Sequence, residues 1–250
     1  MSTLALRLID DLRASPTLMA MKLIFGTGFV VAYSGALGGS AAVSRAVGGH
    51  YLAFIVPSGV LIATFASATG GYMLARDIED GYLDRLLTTP VSRVAIVLAP
   101  MLVGAGYAVT QAAAVLTVGA VLGATPKTGA LGIAGILSLS ALWGMGVTGY
   151  MTATAMLTGD VEITRLLDVC SFSMLFFFAP VLLPREDLEG WLQPIARLNP
   201  TTYVLEGLRA LMLGGWQTSR LIPAFAAALG FAGLAVTAAG LVAQRRTTNN

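Results

Sequence analysis

Charged side chains are scarce in this chain. Only 11% of its 250 residues are Asp, Glu, Lys or Arg, whereas 56% are hydrophobic, and the mean hydropathy is +0.79. Soluble domains carry about a quarter charged residues, and a soluble chain of this length could not cover so much apolar side chain with so little polar surface. The composition therefore indicates an integral membrane protein. The net charge of +2 says little, because the charges belong to separate loops.

Cysteine and histidine occur once each. Cys170 lies in an apolar run, so an internal disulfide is excluded and no metal-site spacing exists. His50 alone excludes a multi-histidine metal site and argues against a serine–histidine hydrolase. We interpret His50 as an interfacial residue at the outer end of the second apolar run. No metal-binding or catalytic residue is predicted.

A nucleotide-binding loop is also missing. The stretch "GATPKTG", residues 123–129, is similar to the phosphate-binding loop G-x-x-x-x-G-K-[ST], but Pro126 stands in place of the second glycine and no strand precedes it. We therefore expect no ATP binding by this route, no cofactor in this chain and no enzymatic activity of its own.

Long apolar runs are what the sequence has instead. A bilayer core of about 30 Å needs roughly 20 apolar helical residues. The runs that meet this length are about Leu18–Gly39, Tyr51–Ala75, Val94–Gly123, Gly129–Thr158, Ile163–Leu183 and Leu221–Ala243. We predict six transmembrane helices with both termini on one side. Most of the 15 lysines and arginines fall on the N-terminal side, so both termini are expected to be cytoplasmic. Acidic residues interrupt the N-terminus, so no signal peptide is predicted.

Ionisable residues are almost absent from these runs, although proton or sodium coupling uses such residues inside the membrane. Asp168 is the one acidic residue within them, and it follows Arg165 by three residues, which places both side chains on one helical face. A local ion pair at the inner interface is the simpler interpretation, and a cation site is the alternative. If the chain is a transporter, its driving energy is expected to come from elsewhere.

The stretch "ARDIEDGYLDRLLTTPVSR", residues 75–93, combines leucines with acidic residues. Its apolar residues recur at helical spacing and lie on one face: Ile78, Tyr82, Leu83, Leu86 and Leu87. Anionic headgroups of the inner leaflet repel acidic side chains, so a protein partner fits this helix better than a lipid surface does. A solvated helix lying on lipid is the alternative.

Two further segments are amphipathic. "TLALRLIDDLRAS", residues 3–15, is typical of an interfacial helix that enters the first span. The outer connection after the fifth run predicts two short helices, broken at "LNP", that dip into the outer membrane surface or cap the bundle.

Two motifs in this order resemble the membrane permease subunits of type-2 ATP-binding-cassette (ABC) exporters, and most closely the daunorubicin-resistance and nodulation-factor export permeases. The first is "RDIEDGYLDRLLTTPVSR", which matches through Asp77, Glu79, Gly81, Asp84, Arg85, Pro90, Ser92 and Arg93. The second is "LNPTTYVLEGLRALMLGG", which matches through Asn199, Pro200, Tyr203, Gly207 and Arg209.

The resemblance implies an all-α polytopic membrane protein with six transmembrane helices, formed by a single domain over residues 1–250. Its expected parts are an N-terminal interface helix (1–17), spans 1–2 (18–75), a cytoplasmic coupling helix (76–92), spans 3–5 (93–183), outer re-entrant helices (184–220), and span 6 with a cytoplasmic tail (221–250). The residues expected to couple to an ATPase are Asp77, Glu79, Gly81, Tyr82, Leu83, Leu86, Leu87, Pro90 and Arg93.

The resemblance also implies partners. Separate ABC ATPase subunits would bind ATP and Mg²⁺, and a second permease copy, identical or related, would complete the pathway. Membrane lipid surrounds the pair, no nucleic acid is expected, and the location is the bacterial cytoplasmic membrane. The chain lacks an aromatic-rich ladder of the kind expected for sugar polymers, so a hydrophobic or amphiphilic substrate (a drug, lipid or glycolipid) is favoured. Substrate-binding residues stay unassigned.

Two other functions remain open on the sequence. An ion-coupled secondary transporter would depend on Asp168 and would lose transport when uncouplers collapse the ion gradient. A non-transporting membrane scaffold would use the acidic, leucine-containing helix only for docking.

Overall fold

A computed structural model describes residues 16–65, 69–80 and 93–248. Throughout this part of the chain the regular elements are helical, which confirms the predicted helical membrane protein. The helices are α1 Pro16–Leu37, α2 Ala41–Ala46, α3 Tyr51–Phe65, α4 Thr69–Glu79, α5 Arg93–Val121, α6 Gly129–Thr158, α7 Val161–Phe177, α8 Leu192–Leu198, α9 Pro200–Arg209 and α10 Thr218–Thr248, with a 3-10 turn at Arg185–Asp187 and a π-helical segment at Ala210–Gly214.

Three described helices are long and apolar enough to cross a bilayer: Val97–Val121, Gly129–Thr158 and Thr218–Val242. Leu23–Leu37 and Tyr51–Phe65 are shorter apolar helices. The predicted second run is formed by two helices, α3 and α4, and α4 continues to Glu79. Residues 76–79, predicted to start a separate coupling helix, therefore belong to α4.

Helix α6 occupies the centre of the bundle. It packs against α3, α4, α5, α7, α9 and α10, and Trp143, Leu139 and Met151 on it are fully buried. Its sequence is apolar on every side, which is typical of a helix surrounded by other helices or by lipid. Helices α4, α5 and α9, which border or carry the two motif segments, therefore all pack against α6.

Small residues bring the helices into close contact with α6. A Cβ atom at Gly104 would lie 1.9 Å from Thr148 Oγ1, and one at Gly71 would lie 2.3 Å from Met151 Cβ. Inside a membrane, helix association depends on such close packing, because lipid tails are as apolar as the side chains themselves. Glycine is therefore required where α5 and α4 cross α6.

A two-residue connection joins α6 to α7. Gly159 ends α6 with φ of 66°, and Asp160 begins α7 by accepting a hydrogen bond from Ile163 N at 2.9 Å. The left-handed conformation at Gly159 favours glycine, and aspartate is a preferred N-terminal capping residue. Because successive long helices run antiparallel, Glu79, Thr158 and Val161 meet at one end of the bundle, here called the Glu79 end. Tyr51, Val181 and Arg209 meet at the other, the Arg209 end.

Candidate functional site at the two ends of the bundle

Most of the predicted coupling segment lies outside the described residues. This holds for Gly81, Tyr82, Leu83, Leu86, Leu87 and Pro90. Asp77 and Glu79 lie in the last turn of α4, and Arg93 is the first residue of α5. The coupling role of this segment stays a prediction, but the two helices that bracket it are placed at the Glu79 end.

Glu79 binds the start of α7. Its Oε1 atom accepts a hydrogen bond from the backbone N–H of Val161 at 2.6 Å. The first N–H groups of a helix lack intrahelical partners and carry partial positive charge, so a carboxylate there is stabilising. Glu79, predicted to act toward a partner protein, thus already has an intramolecular partner.

Asp168 is contacted by a second helix. The Tyr72 hydroxyl on α4 donates a hydrogen bond to Asp168 Oδ2 on α7. The sequence predicts a local pair between Asp168 and Arg165, and the ion pair that the structure shows for Arg165 is with Glu162 at 3.9 Å. Asp168 therefore takes part in the contact between α4 and α7.

Arg209 is buried at the opposite end. Only 5% of the Arg209 surface is exposed. One terminal nitrogen of its guanidinium donates hydrogen bonds to Val181 O at 2.8 Å and to Ser58 Oγ at 3.1 Å. The guanidinium carbon lies 3.6 Å from the centre of the Phe54 ring, in cation–π geometry. A buried charge is tolerated only where such partners replace water. Arg209 thereby joins α9 to α3 and to the segment after α7.

The other residues of the second motif also anchor α9. Asn199 Oδ1 accepts a hydrogen bond from Thr201 N at 3.0 Å, and its Nδ2 donates to Leu175 O at 2.8 Å. Pro200 follows at the first helical position, where its missing N–H costs nothing. The Tyr203 hydroxyl donates to Arg197 O at 2.6 Å. The motif thus fixes the start of α9 to α7 and α8.

Gly207 sets the contact between α9 and α10. A Cβ atom there would lie 2.3 Å from Ala224 Cβ, closer than two carbon atoms can approach. Glycine at this position therefore allows α9 to lie directly against the last long helix.

The turn between α5 and α6, predicted to be an outer turn, is hydrogen-bonded to the segment that follows α9. Lys127 N donates a hydrogen bond to Met212 O at 3.1 Å, and Thr128 Oγ1 donates to Leu211 O at 2.7 Å. Both acceptors lie in the π-helical segment that follows α9. Sequence reasoning missed this contact, because nothing in the spacing of either segment relates it to the other.

Ser58, Phe54 and the carbonyl of Val181 are the further site residues that sequence reasoning missed. Ser58 carried the one usable signal, since it is a polar side chain inside an apolar run. Among the described residues, no group of three His, Cys, Asp or Glu side chains is arranged to hold a metal ion.

Comparison with known proteins gives a family and two relatives. A family model described as ABC-2 type transporter matches residues 6–213. The chain is 31% identical over 160 residues to a protein of Pyropia yezoensis described as a transport permease, ycf38, and 29% identical over 158 residues to ycf38 of Porphyra purpurea. These alignments cover 62% and 61% of this chain but 54% and 53% of the relatives, so the chain spans about half the length of the curated relatives it matches.

Proposed function

Since the chain belongs to the ABC-2 type transporter family, we propose that it is the membrane permease subunit of an ATP-driven exporter. The family match over residues 6–213 carries this proposal, because it spans the first motif and most of the second. Proteins of this family are the membrane component of transport systems, which agrees with the missing phosphate-binding loop. ATP hydrolysis would come from a separate ABC ATPase subunit.

The segment 76–92 is the proposed docking element for that ATPase. Its leucines would supply apolar contact area, and the acidic side chains beyond α4, Asp80 and Asp84, would orient the helix against basic residues of the partner. The segment begins in the last turn of α4 and leads to α5, and both helices lie directly against α6, which supports the proposal. A second copy of the permease, identical or related, would complete the transport pathway.

Six spans are proposed: α1, α3 with α4, α5, α6, α7 and α10. Both termini would be cytoplasmic, in a bacterial cytoplasmic membrane. Helices α8 and α9 would form a re-entrant pair at the outer face. Two observations support this arrangement: Leu198 at the tip between them is 87% exposed, as an apolar residue facing lipid would be, and Leu205 on α9 is fully buried.

A hydrophobic or amphiphilic substrate is proposed. The fold does bring aromatic rings together: Phe172 contacts Phe65 and Phe176 at ring-centre distances of 5.0 and 5.3 Å, and Phe65 contacts Trp143 at 5.9 Å. Phe65 and Trp143 are buried, and Phe172 and Phe176 are half-buried and stacked on each other. The apolar character of this cluster supports an apolar substrate.

The test is reconstitution with a candidate ABC ATPase subunit, sought first among the reading frames that adjoin the gene. The purified permease alone is expected to hydrolyse no ATP above background, and hydrolysis is expected when the ATPase is added. In proteoliposomes, the fluorescent amphiphile daunorubicin serves as the transport probe, and its movement should require ATP. Robust hydrolysis by the contaminant-free permease would contradict the proposal.

The same experiment separates the alternatives. Daunorubicin transport that needs no ATP and stops with an uncoupler would favour an ion-coupled transporter. A stable complex with the ATPase that moves no probe and leaves hydrolysis unchanged would favour a scaffold.

A further inference from the structure

We infer that Glu79 and Tyr72 bind α4 to α7 at two points, and that α7 passes movement of the coupling segment to the buried Arg209 at the opposite end. This inference rests on the proposed function, because it assumes that an ATPase moves residues 76–92. It assigns Glu79 a positioning role within the permease, in addition to its place in the first motif.

The two contacts share one antiparallel register. Glu79 bonds to Val161, and Tyr72 bonds to Asp168. The contacts are therefore seven residues apart on each helix, which is two helical turns or about 10 Å. Two contacts in one register resist both sliding and rotation of one helix on the other, whereas a single contact would act as a pivot.

Apolar packing fills the space between the two contacts. Ala75 on α4 is buried with Val161 on α7 and Ala155 on α6, and Ile78 packs against the same cluster. Interior packing of this kind is close and resists small displacements. Helices α4 and α7 are therefore expected to move together near the Glu79 end.

The far end of α7 is held by the second motif. Leu175 O in the last turn accepts a hydrogen bond from Asn199, and Val181 O just beyond accepts one from Arg209. Helix α7 has 17 residues, which corresponds to about 25 Å. Helix α7 thus contacts Glu79 of the first motif at its start and Asn199 of the second in its last turn, and the segment directly after it contacts Arg209.

A simple docking role for Glu79 makes a different prediction. If Glu79 contacted the ATPase directly, removing its carboxylate would weaken assembly of the complex. If it positions α7, assembly persists and the response at the Arg209 end is lost. The two roles are separated by measuring both quantities on one variant.

The test uses a cysteine reporter at the Arg209 end. Gly190→Cys in a Cys170→Ser background suits this purpose, because Gly190 is exposed and a Cβ there meets no atom within 4 Å. Its maleimide labelling rate is measured in the purified permease–ATPase complex, without nucleotide and after trapping with ATP and vanadate. The rate is expected to change on trapping.

In the double variant Glu79→Ala, Tyr72→Phe, the change in labelling rate at position 190 on trapping should be at least about fivefold smaller. Fivefold is the lower end of ordinary allosteric coupling. Co-purification of the ATPase and its basal hydrolysis should stay at the reference level. The single variant Glu79→Gln, with Tyr72 unchanged, keeps an acceptor oxygen for Val161 N. It should therefore retain most of the change in labelling rate. Glu162→Ala removes an exposed acid at the start of α7 that pairs with Arg165 on the same helix at 3.9 Å, and it should have no effect.

Three results would overturn the inference: a labelling change retained in the double variant, loss of ATPase co-purification in Glu79→Ala, or no nucleotide-dependent change at position 190 in the reference complex. If instead the reference permease fails to assemble with the ATPase or to support its hydrolysis, the proposed function fails and not this inference alone.

Discussion

Arg209 illustrates how one charged side chain is held inside an apolar bundle. Its guanidinium meets a carbonyl oxygen, a hydroxyl and an aromatic face within a few ångströms, and the nearby Glu206 is paired with Arg185 at 3.4 Å. A lysine would keep the charge but would present it as a point rather than as a planar fork. The arrangement is therefore specific to arginine.

Replacing Arg209 with alanine should lower the free energy of unfolding by about 1.5–3 kcal/mol, the usual value for hydrogen bonds that involve a charged group. The Arg209→Lys variant should have a free energy of unfolding between that of the unchanged protein and that of Arg209→Ala. Denaturant titration of the purified protein in bicelles measures the difference. Arg220→Ala removes an exposed arginine from a neighbouring position and should change stability little; equal stability of the two alanine variants would contradict the structural role of Arg209.

The sequence identified Arg209 and Asn199 through their motif, but it did not identify their partners. Ser58 lies 151 residues from Arg209, and Val181 lies 28 residues from it. Local spacing predicts contacts only within an element, because contacts between elements depend on how the helices cross. Glu79 was likewise predicted as a coupling residue, whereas its bond to Val161 follows from the placement of two helices.

Helix boundaries were predictable where local chemistry ends a helix. The predicted range of α6, Gly129–Thr158, is the observed one, because glycines flank both ends. The fifth run was predicted to continue to Leu183, but α7 ends at Phe177. Pro180 and Pro184 explain the difference, since a proline disfavours helical geometry in the residue before it and cannot donate a backbone hydrogen bond.

Gly207→Ala tests the contact between α9 and α10. The added methyl group would overlap Ala224, so the two helices must separate, and overpacking of this kind costs about 1–3 kcal/mol. Gly233→Ala is the matched control on α10, where a Cβ meets no atom within 4 Å; it should be neutral or slightly stabilising. If thermal unfolding in lipid nanodiscs shows the same midpoint for both variants, the two helices are not in direct contact.

Leu86→Asp tests the proposed docking helix. It would place an unpaired charge in the contact with the ATPase, at a cost of about 2–5 kcal/mol, so affinity should fall by more than about tenfold. Membrane levels should be normal because no span is changed, and co-purification of the ATPase and transport should both be lost. Thr125→Asp in the exposed outer turn is the control, and a Leu86→Asp variant that keeps its ATPase and still exports would refute the docking role.

At the scale of the whole molecule, the antiparallel order of the helices separates two groups of loops. Asp80 and Asp160 lie at the Glu79 end. His50 and Lys127 lie between helices at the Arg209 end, and Gln193 lies in the short helix α8 at the same end. Each group is therefore expected to lie on one side of the membrane, and the positive-inside rule predicts that the Glu79 end is the cytoplasmic one.

Single cysteines in a Cys170→Ser background test the sidedness. In intact cells, an impermeant maleimide should label His50→Cys, Lys127→Cys and Gln193→Cys. Asp80→Cys and Asp160→Cys should react only after the membrane is permeabilised. Labelling at position 80 in sealed cells would reverse the predicted orientation.

The bonds from the outer turn to the π-helical segment have a consequence for biosynthesis. Thr128 and Leu211 are 83 residues apart, and ribosomes add about 5–20 residues per second, so Thr128 waits roughly 4–17 seconds after its own synthesis for its acceptor. During that interval the Lys127 amide and the Thr128 hydroxyl must be satisfied by water or by an insertion factor. Nascent chains stalled before residue 211 should therefore display an outer turn that proteases cut, and chains stalled well beyond residue 218 should protect it.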